Sequence, residues 1–136
     1  MIVIDASALV KYVLHEEGWD EVSRYIREER PLYSIDHVLK EAANAIWKHT
    51  FIRRIIATET ALQLYELLEK LTVLQVIILE EELDYMRRAM KIALEHGITV
   101  YDALYIAQAK KYGELLTSDE KQEKISKKLG IKVHMI

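Results

Sequence analysis

Ile2-Val3-Ile4-Asp5-Ala6-Ser7-Ala8-Leu9-Val10 follows Met1 and decides how the rest of the chain is read. A short apolar, β-branched run ends at a carboxylate, which predicts a first strand over Ile2–Asp5. No polar residue alternates within it, so it is expected to be buried on both faces, as strands of a parallel sheet are. The chain passes directly into a helical stretch, Ala6–Leu14, so strand, carboxylate and helix follow without a break. The same succession recurs downstream. A second helix is expected over Trp19–Arg30 after Gly18, and a second strand over Leu32–Ser34, begun by Pro31. Val38, Leu39, Ala42, Ala45 and Ile46 share one stripe of a helix running from Asp36 to about His49. A further helix spans about Thr58 to Leu71, and the β-prone run Val73–Leu79 reads as a third strand. Glu80–Glu82 would open a helix ending near Glu95, capped by Gly97. Helix Asp102–Tyr112 (closed by Gly113), strand Leu115–Thr117, helix Glu120–Leu129 (ended by Gly130) and strand Ile131–His134 complete the series. This alternation predicts an α/β fold, a parallel sheet with helices on both faces. Ligands in such folds bind beyond the carboxyl ends of strands, where the strand order reverses.

The 136 residues contain no linker, low-complexity tract or repeat, and are expected to form a single domain over 1–136. A hydrophobic fraction of 51% with 30% charged residues describes a soluble globular chain. No apolar run approaches the roughly 18–20 residues that span a bilayer, and Met1–Asp5 lacks the marks of a signal peptide, so a cytoplasmic location without membrane contact is expected. The absence of cysteine excludes disulfides, zinc ribbons and thiol nucleophiles, leaving oxygen or imidazole to hold any metal. The five histidines are scattered, without zinc spacing. A net charge of −3 argues against a broadly basic nucleic-acid binder, while leaving room for an acidic catalytic centre offset by cations elsewhere.

Among 22 acidic residues, position singles out four. Asp5 lies at the tip of the first strand, though it could simply cap the helix from Ala6. Glu41 sits at the edge of the apolar stripe of the Asp36–His49 helix, where a surface pairing with Lys48 is the plainer reading. Asp102 fits a capping box, Thr99-Val-Tyr-Asp102, yet shares its stripe with Tyr105, Ile106 and Ala109 on a helix apolar nearly all round. An ionised carboxylate there needs a cation. Asp119, in Thr117-Ser118-Asp119-Glu120, follows the fourth strand, where Thr117 and Glu120 also match a capping box. If the first and fourth strands are neighbours, Asp5 and Asp119 face one crevice. Converging carboxylates repel by roughly 4 kcal/mol per close pair at intermediate dielectric. An all-oxygen acidic pocket suits the hard cations Mg²⁺ or Mn²⁺, which serve phosphodiester hydrolysis without a histidine base. Glu80-Glu81-Glu82 reads as a dipole-favoured helix start, and Tyr101, Tyr105 and Tyr112 as core packing.

Asp5 after the first strand, Glu41 with Asn44 on the third helix, Tyr101-Asp-Ala-Leu-Tyr-Ile-Ala107 and Thr117-Ser-Asp119 together resemble the PIN domain. Within it, the short length and the Tyr101–Ala107 segment resemble VapC-type toxins of toxin–antitoxin pairs. The resemblance covers essentially the whole chain, with no departure at the four acids. It implies a Rossmann-like three-layer α/β/α sandwich with a parallel five-stranded sheet of order 3-2-1-4-5. It also implies that Asp5, Glu41, Asp102 and Asp119 are catalytic and bind Mg²⁺ or Mn²⁺, with Ser7, Asn44, Thr117 and Ser118 as polar support. The implied activity is endoribonuclease cleavage of RNA, by a homodimer inhibited by a cognate antitoxin.

Lys11, Lys48, Arg53 and Arg54 could meet RNA phosphates, although solvated helix ends explain them equally well. Phe51-Ile-Arg-Arg-Ile-Ile56 reads either as a clip for antitoxin or a second subunit, or as local core packing. A catalytically silent PIN-like scaffold binding RNA or protein is the non-enzyme alternative. A haloacid-dehalogenase-like phosphatase would need an aspartate where Ser7 stands.

Overall fold

The computed structural model describes residues 1–136. In chain order the elements are β1 (Ile2–Ile4), α1 (Ala6–Leu14), α2 (Trp19–Glu28), β2 (Leu32–Ile35), α3 (His37–Trp47), α4 (Thr58–Val73) and β3 (Ile77–Glu80). They continue as α5 (Met86–His96), α6 (Val100–Tyr112), β4 (Glu114–Thr117), α7 (Glu120–Lys128) and β5 (Lys132–Met135). A π-helical turn, Lys48–Ile52, prolongs α3, and a 3₁₀ turn, Glu82–Asp84, leads into α5. All strand pairs are parallel and the order is β3-β2-β1-β4-β5, as expected.

β1 is the central strand, and each of its residues is buried. Its neighbours are β2 on one side and β4 on the other, with Ile4 opposite Leu116. Right-handed crossovers place α1–α4, which connect β1 to β2 and β2 to β3, on one face of the sheet. The return from β3 to β4 puts α5 and α6 on the other face, joined by α7. The strand order therefore reverses between β1 and β4, which opens a crevice at their carboxyl ends.

Helix α6 is buried along Ala103–Ala109 without interruption. It lies across β1, β2 and β4 while α5 and α7 cover its outer side, so it needs an apolar surface all round. It begins at Val100, two residues before the expected Asp102, because the Thr99 hydroxyl caps it by accepting the Asp102 amide at 3.2 Å.

Two expectations are corrected. The third strand begins at Ile77, not Val73. Helix α4 runs on through Val73 and closes when the Leu74 amide reaches the Lys70 carbonyl; Gln75 then turns in the left-handed region, φ 56°. Parallel pairing with β2 starts only at Leu32 opposite Ile77, so the β-prone Val73 and Leu74 stay exposed. Local propensity yields here to sheet register. Second, Glu80–Glu82 do not open a helix. Glu80 ends β3, and its carboxylate turns inward to accept from Gln108 Nε2, Tyr85 and Tyr112. Helix α5 starts later, at Met86.

Candidate acidic site at the β1–β4 crevice

Asp5 is fully buried immediately beyond β1, and its backbone amide donates to Leu116 of β4. Its carboxylate accepts from the Ala8 amide at 3.0 Å, so it does cap α1, and from Ser7 Oγ at 2.7 Å. Thr117 Oγ1 donates to the second oxygen at 2.5 Å. Burial nevertheless pushes the Asp5 carboxyl up to about 6; these hydrogen bonds only partly offset it, and the nearby Asp119 adds to the rise.

Ser7 and Thr117 link β1 to β4. Ser7 Oγ also accepts the Ser118 amide at 2.8 Å, and Thr117 Oγ1 accepts the Asp119 amide at 3.0 Å. Asp119 itself caps α7, accepting the Gln122 amide at 3.0 Å, which replaces the expected Thr117–Glu120 capping box. The fully buried Thr117 is committed to Asp5 and so is not free to cap.

Asp102, half-buried in the first turn of α6, accepts from Gln122 Nε2 at 3.2 Å. Burial and then the charge of Asp119 hold its carboxyl above the usual range. Glu41, on α3, accepts from the buried Tyr105 hydroxyl at 2.5 Å, with His37 Nε2 at 3.6 Å on its other side. Burial first, then Glu41, Asp5 and Asp102, make the Tyr105 hydroxyl much harder to ionise. The charges of three of the four acids thus act on Tyr105, and that of Asp119 acts on Asp5 and Asp102. As the side chains stand, each carboxylate is turned into its own hydrogen bonds, and no three acidic or imidazole groups are at metal-ligand spacing.

The donor chemistry fits a hard divalent ion. Every candidate ligand is a carboxylate oxygen, burial keeps Asp5 short of counter-charge, and Gln122 Oε1 is buried beside Asp102 with no partner.

The family model of the PIN domain matches residues 2–128. The chain belongs to the PIN-domain family. This PIN domain is 36% identical to Ribonuclease VapC3 of Pyrobaculum aerophilum over 87% of the chain and 88% of the relative, in line with the VapC-type resemblance. It is 28% identical to Exonuclease VapC9 of the same organism over 88% of the chain and 80% of the relative. The crystal structure of PAE2754 from Pyrobaculum aerophilum matches it with a TM-score of 0.67 and 28% identity, covering 98% of this chain and 92% of that one.

Around the PIN-domain crevice, the remaining positions divide. Asn44 is exposed and lines a cavity with His37, Lys40, Glu41 and Tyr101. Lys11 Nζ donates to the Ile136 carbonyl at 3.2 Å, at the opposite end of α1 from Asp5. Lys48, Arg53 and Arg54 are exposed on and after the π-helical turn. Tyr101 is not core: it lies in the first turn of α6, is 58% exposed and stacks on His37. Sequence reading missed Tyr105 and Gln122 as site residues. The spacing Asp119-x-x-Gln122 is itself a capping signal that could have found the second.

Proposed function

We propose that this PIN domain, one folding unit over 1–136, is a metal-dependent endoribonuclease whose catalytic residues are Asp5, Glu41, Asp102 and Asp119. The observation that carries the reading is the fully buried Asp5 carboxylate at the β1–β4 crevice, held by Ser7 and Thr117 and facing Asp119. Likeness to relatives named ribonuclease and exonuclease supports it. Asp5, Asp102 and Asp119 would hold Mg²⁺ or Mn²⁺, with Glu41 completing the set. A divalent ion bound there supplies Lewis acidity at the phosphoryl group and offsets the charge that develops in hydrolysis. The chain's own part is orientation. Ser7 and Thr117 fix the Asp5 carboxylate, Gln122 fixes Asp102, and Tyr105 fixes Glu41. Asn44 and Ser118 would support the substrate's approach, and the exposed Lys48, Arg53 and Arg54 would meet its phosphates; Lys11, engaged with Ile136, is a weaker member of that group.

The partners we infer are a cognate antitoxin and a second copy of the chain, in the cytoplasm. A groove of about 310 Å³ lined by Ile46, Trp47, Phe51, Leu62 and Tyr65 supports a protein partner near the Phe51–Ile56 segment. Met86, Met90 and Leu94 form an exposed apolar stripe on α5 that supports self-association. No helix is long and apolar enough to cross a membrane.

The test is cleavage of total RNA with end mapping, using protein free of any antitoxin. Cutting is expected with added Mg²⁺ or Mn²⁺, and loss of cutting in Asp5→Asn and Asp102→Asn proteins that retain their circular dichroism. Activity that survives chelator, or either substitution, would overturn it. A folded wild type that binds RNA without cutting it would favour the silent scaffold.

A further inference from the structure

We infer that His37 and Tyr101 form a stacking platform for a nucleobase of single-stranded RNA, beside Glu41; the inference rests on the nuclease reading above. The two rings are parallel, 4.9 Å apart between centroids and inclined by 16°. They come from different elements, His37 from the start of α3 and Tyr101 from the start of α6, so the fold itself brings them together. Tyr101 departs from its surroundings. The residues after Asp102 are buried without a break, yet Tyr101 is 58% exposed. The His37 side chain beneath it is only 13% exposed, so the tyrosine is backed by a ring that is itself held in place. An aromatic face fixed in this way loses little conformational freedom when a base stacks on it.

The surroundings match the rest of a nucleotide. A cavity of about 300 Å³ joins the pair to Lys40, Glu41 and Asn44. His37 Nε2 lies 3.6 Å from Glu41 Oε1, so a base on Tyr101 would hold its phosphodiester next to the acidic crevice. Lys40, with a side chain 68% exposed and paired with Glu82 at 3.6 Å, stands at the rim, where a phosphate would compete with that carboxylate. Along α3 and into the π-helical turn that prolongs it, His37, Glu41, Asn44 and Lys48 follow helical spacing, in the order stacking ring, acid, amide and cation. A base in a duplex has its faces covered by neighbours, so the platform selects unpaired RNA.

The test measures steady-state cleavage and anisotropy binding of a short labelled single-stranded oligoribonucleotide, with matching oligonucleotides carrying one abasic position. Tyr101→Ala should weaken binding and raise KM by about 5- to 150-fold, the range of one base–aromatic stack, with kcat changing much less. Tyr101→Trp should rescue affinity. One abasic position should weaken the wild type by a similar factor and leave Tyr101→Ala nearly unaffected. If the wild type binds and cuts RNA but Tyr101→Ala has the same KM and the same response to the abasic series, the platform is overturned and the nuclease reading stands. If Tyr101→Ala changes only the sedimentation of the protein with itself, the pair is a protein contact and the platform is likewise overturned. If the folded wild type neither binds nor cuts any RNA, the nuclease reading falls first and the platform with it.

Discussion

The Asp5 carboxyl gives the metal-free protein a pH dependence of definite sign. Burial raises it in the folded state from 3.8 to about 6. Its contribution to stability is therefore fully present below pH 3.8 and is lost as pH rises through about 6. The loss is on the order of 3 kcal/mol. Urea melts of the wild type and Asp5→Asn in chelator, compared from pH 4 to 7, should show the variant gaining that much on the wild type. A divalent ion at pH 7 should close the gap for the wild type alone. Thr117 offers a second check. Thr117→Val removes the hydroxyl that donates to Asp5 and accepts the Asp119 amide, and should cost about 1–3 kcal/mol in the same melts; Thr117→Ser should cost much less. Tyr105→Phe frees Glu41 from its short hydrogen bond. Calorimetric Mn²⁺ affinity and kcat should both fall severalfold while KM for RNA holds, because the tyrosine touches the acid and not the substrate. Asp5 and Asp102 were legible in the sequence because their places, at a strand tip and on an apolar helix, are properties of pattern. Tyr105 was not, since periodicity tells which way a side chain points and not what its hydroxyl will find.

Elements record the contest between local preference and register. The alternation of strands and helices and every parallel strand existed in the sequence as pattern, and the sheet order followed from the PIN resemblance. The start of β3 did not, because Val73 and Leu74 are β-prone by chemistry yet lie before the point where β2 offers a partner. The turn between α4 and β3 puts Gln75 at φ 56°, where a Cβ is unfavourable. Gln75→Gly should therefore leave stability level or raise it by up to about 1 kcal/mol, against the usual penalty for glycine; a thermal melt reads this directly. Glu80 shows a carboxylate recruited as a clamp between elements. Burial works to raise it, but hydrogen bonds from Gln108, Tyr85 and Tyr112, with Lys111 nearby, hold it below the ordinary glutamate range. Its acidic neighbours in sequence concealed this, since three glutamates in a row look like a solvated helix start.

At the scale of the whole molecule, the four proposed acids come from residues on or next to α3, α6, β1 and β4, and a ligand that joins them should stabilise all of these elements together. Saturating Mn²⁺ at a hundred times its Kd would add about 2.7 kcal/mol, read as a rise in Tm that Asp102→Asn abolishes. The crevice was legible once the PIN resemblance made β1 and β4 neighbours, whereas the hydrogen bonds that span it were not, because they join residues more than a hundred positions apart, as Thr117 is from Asp5 and Ser118 from Ser7. That separation has a bearing on timing. Asp5 is made more than a hundred residues before Thr117, and β1 receives its β4 neighbour, and the crevice its second wall, only after Thr117 has emerged. At about 5–20 residues per second of synthesis, β1 waits several seconds or more for that neighbour. A crevice walled by strands so far apart in the chain closes only once the later wall has been made.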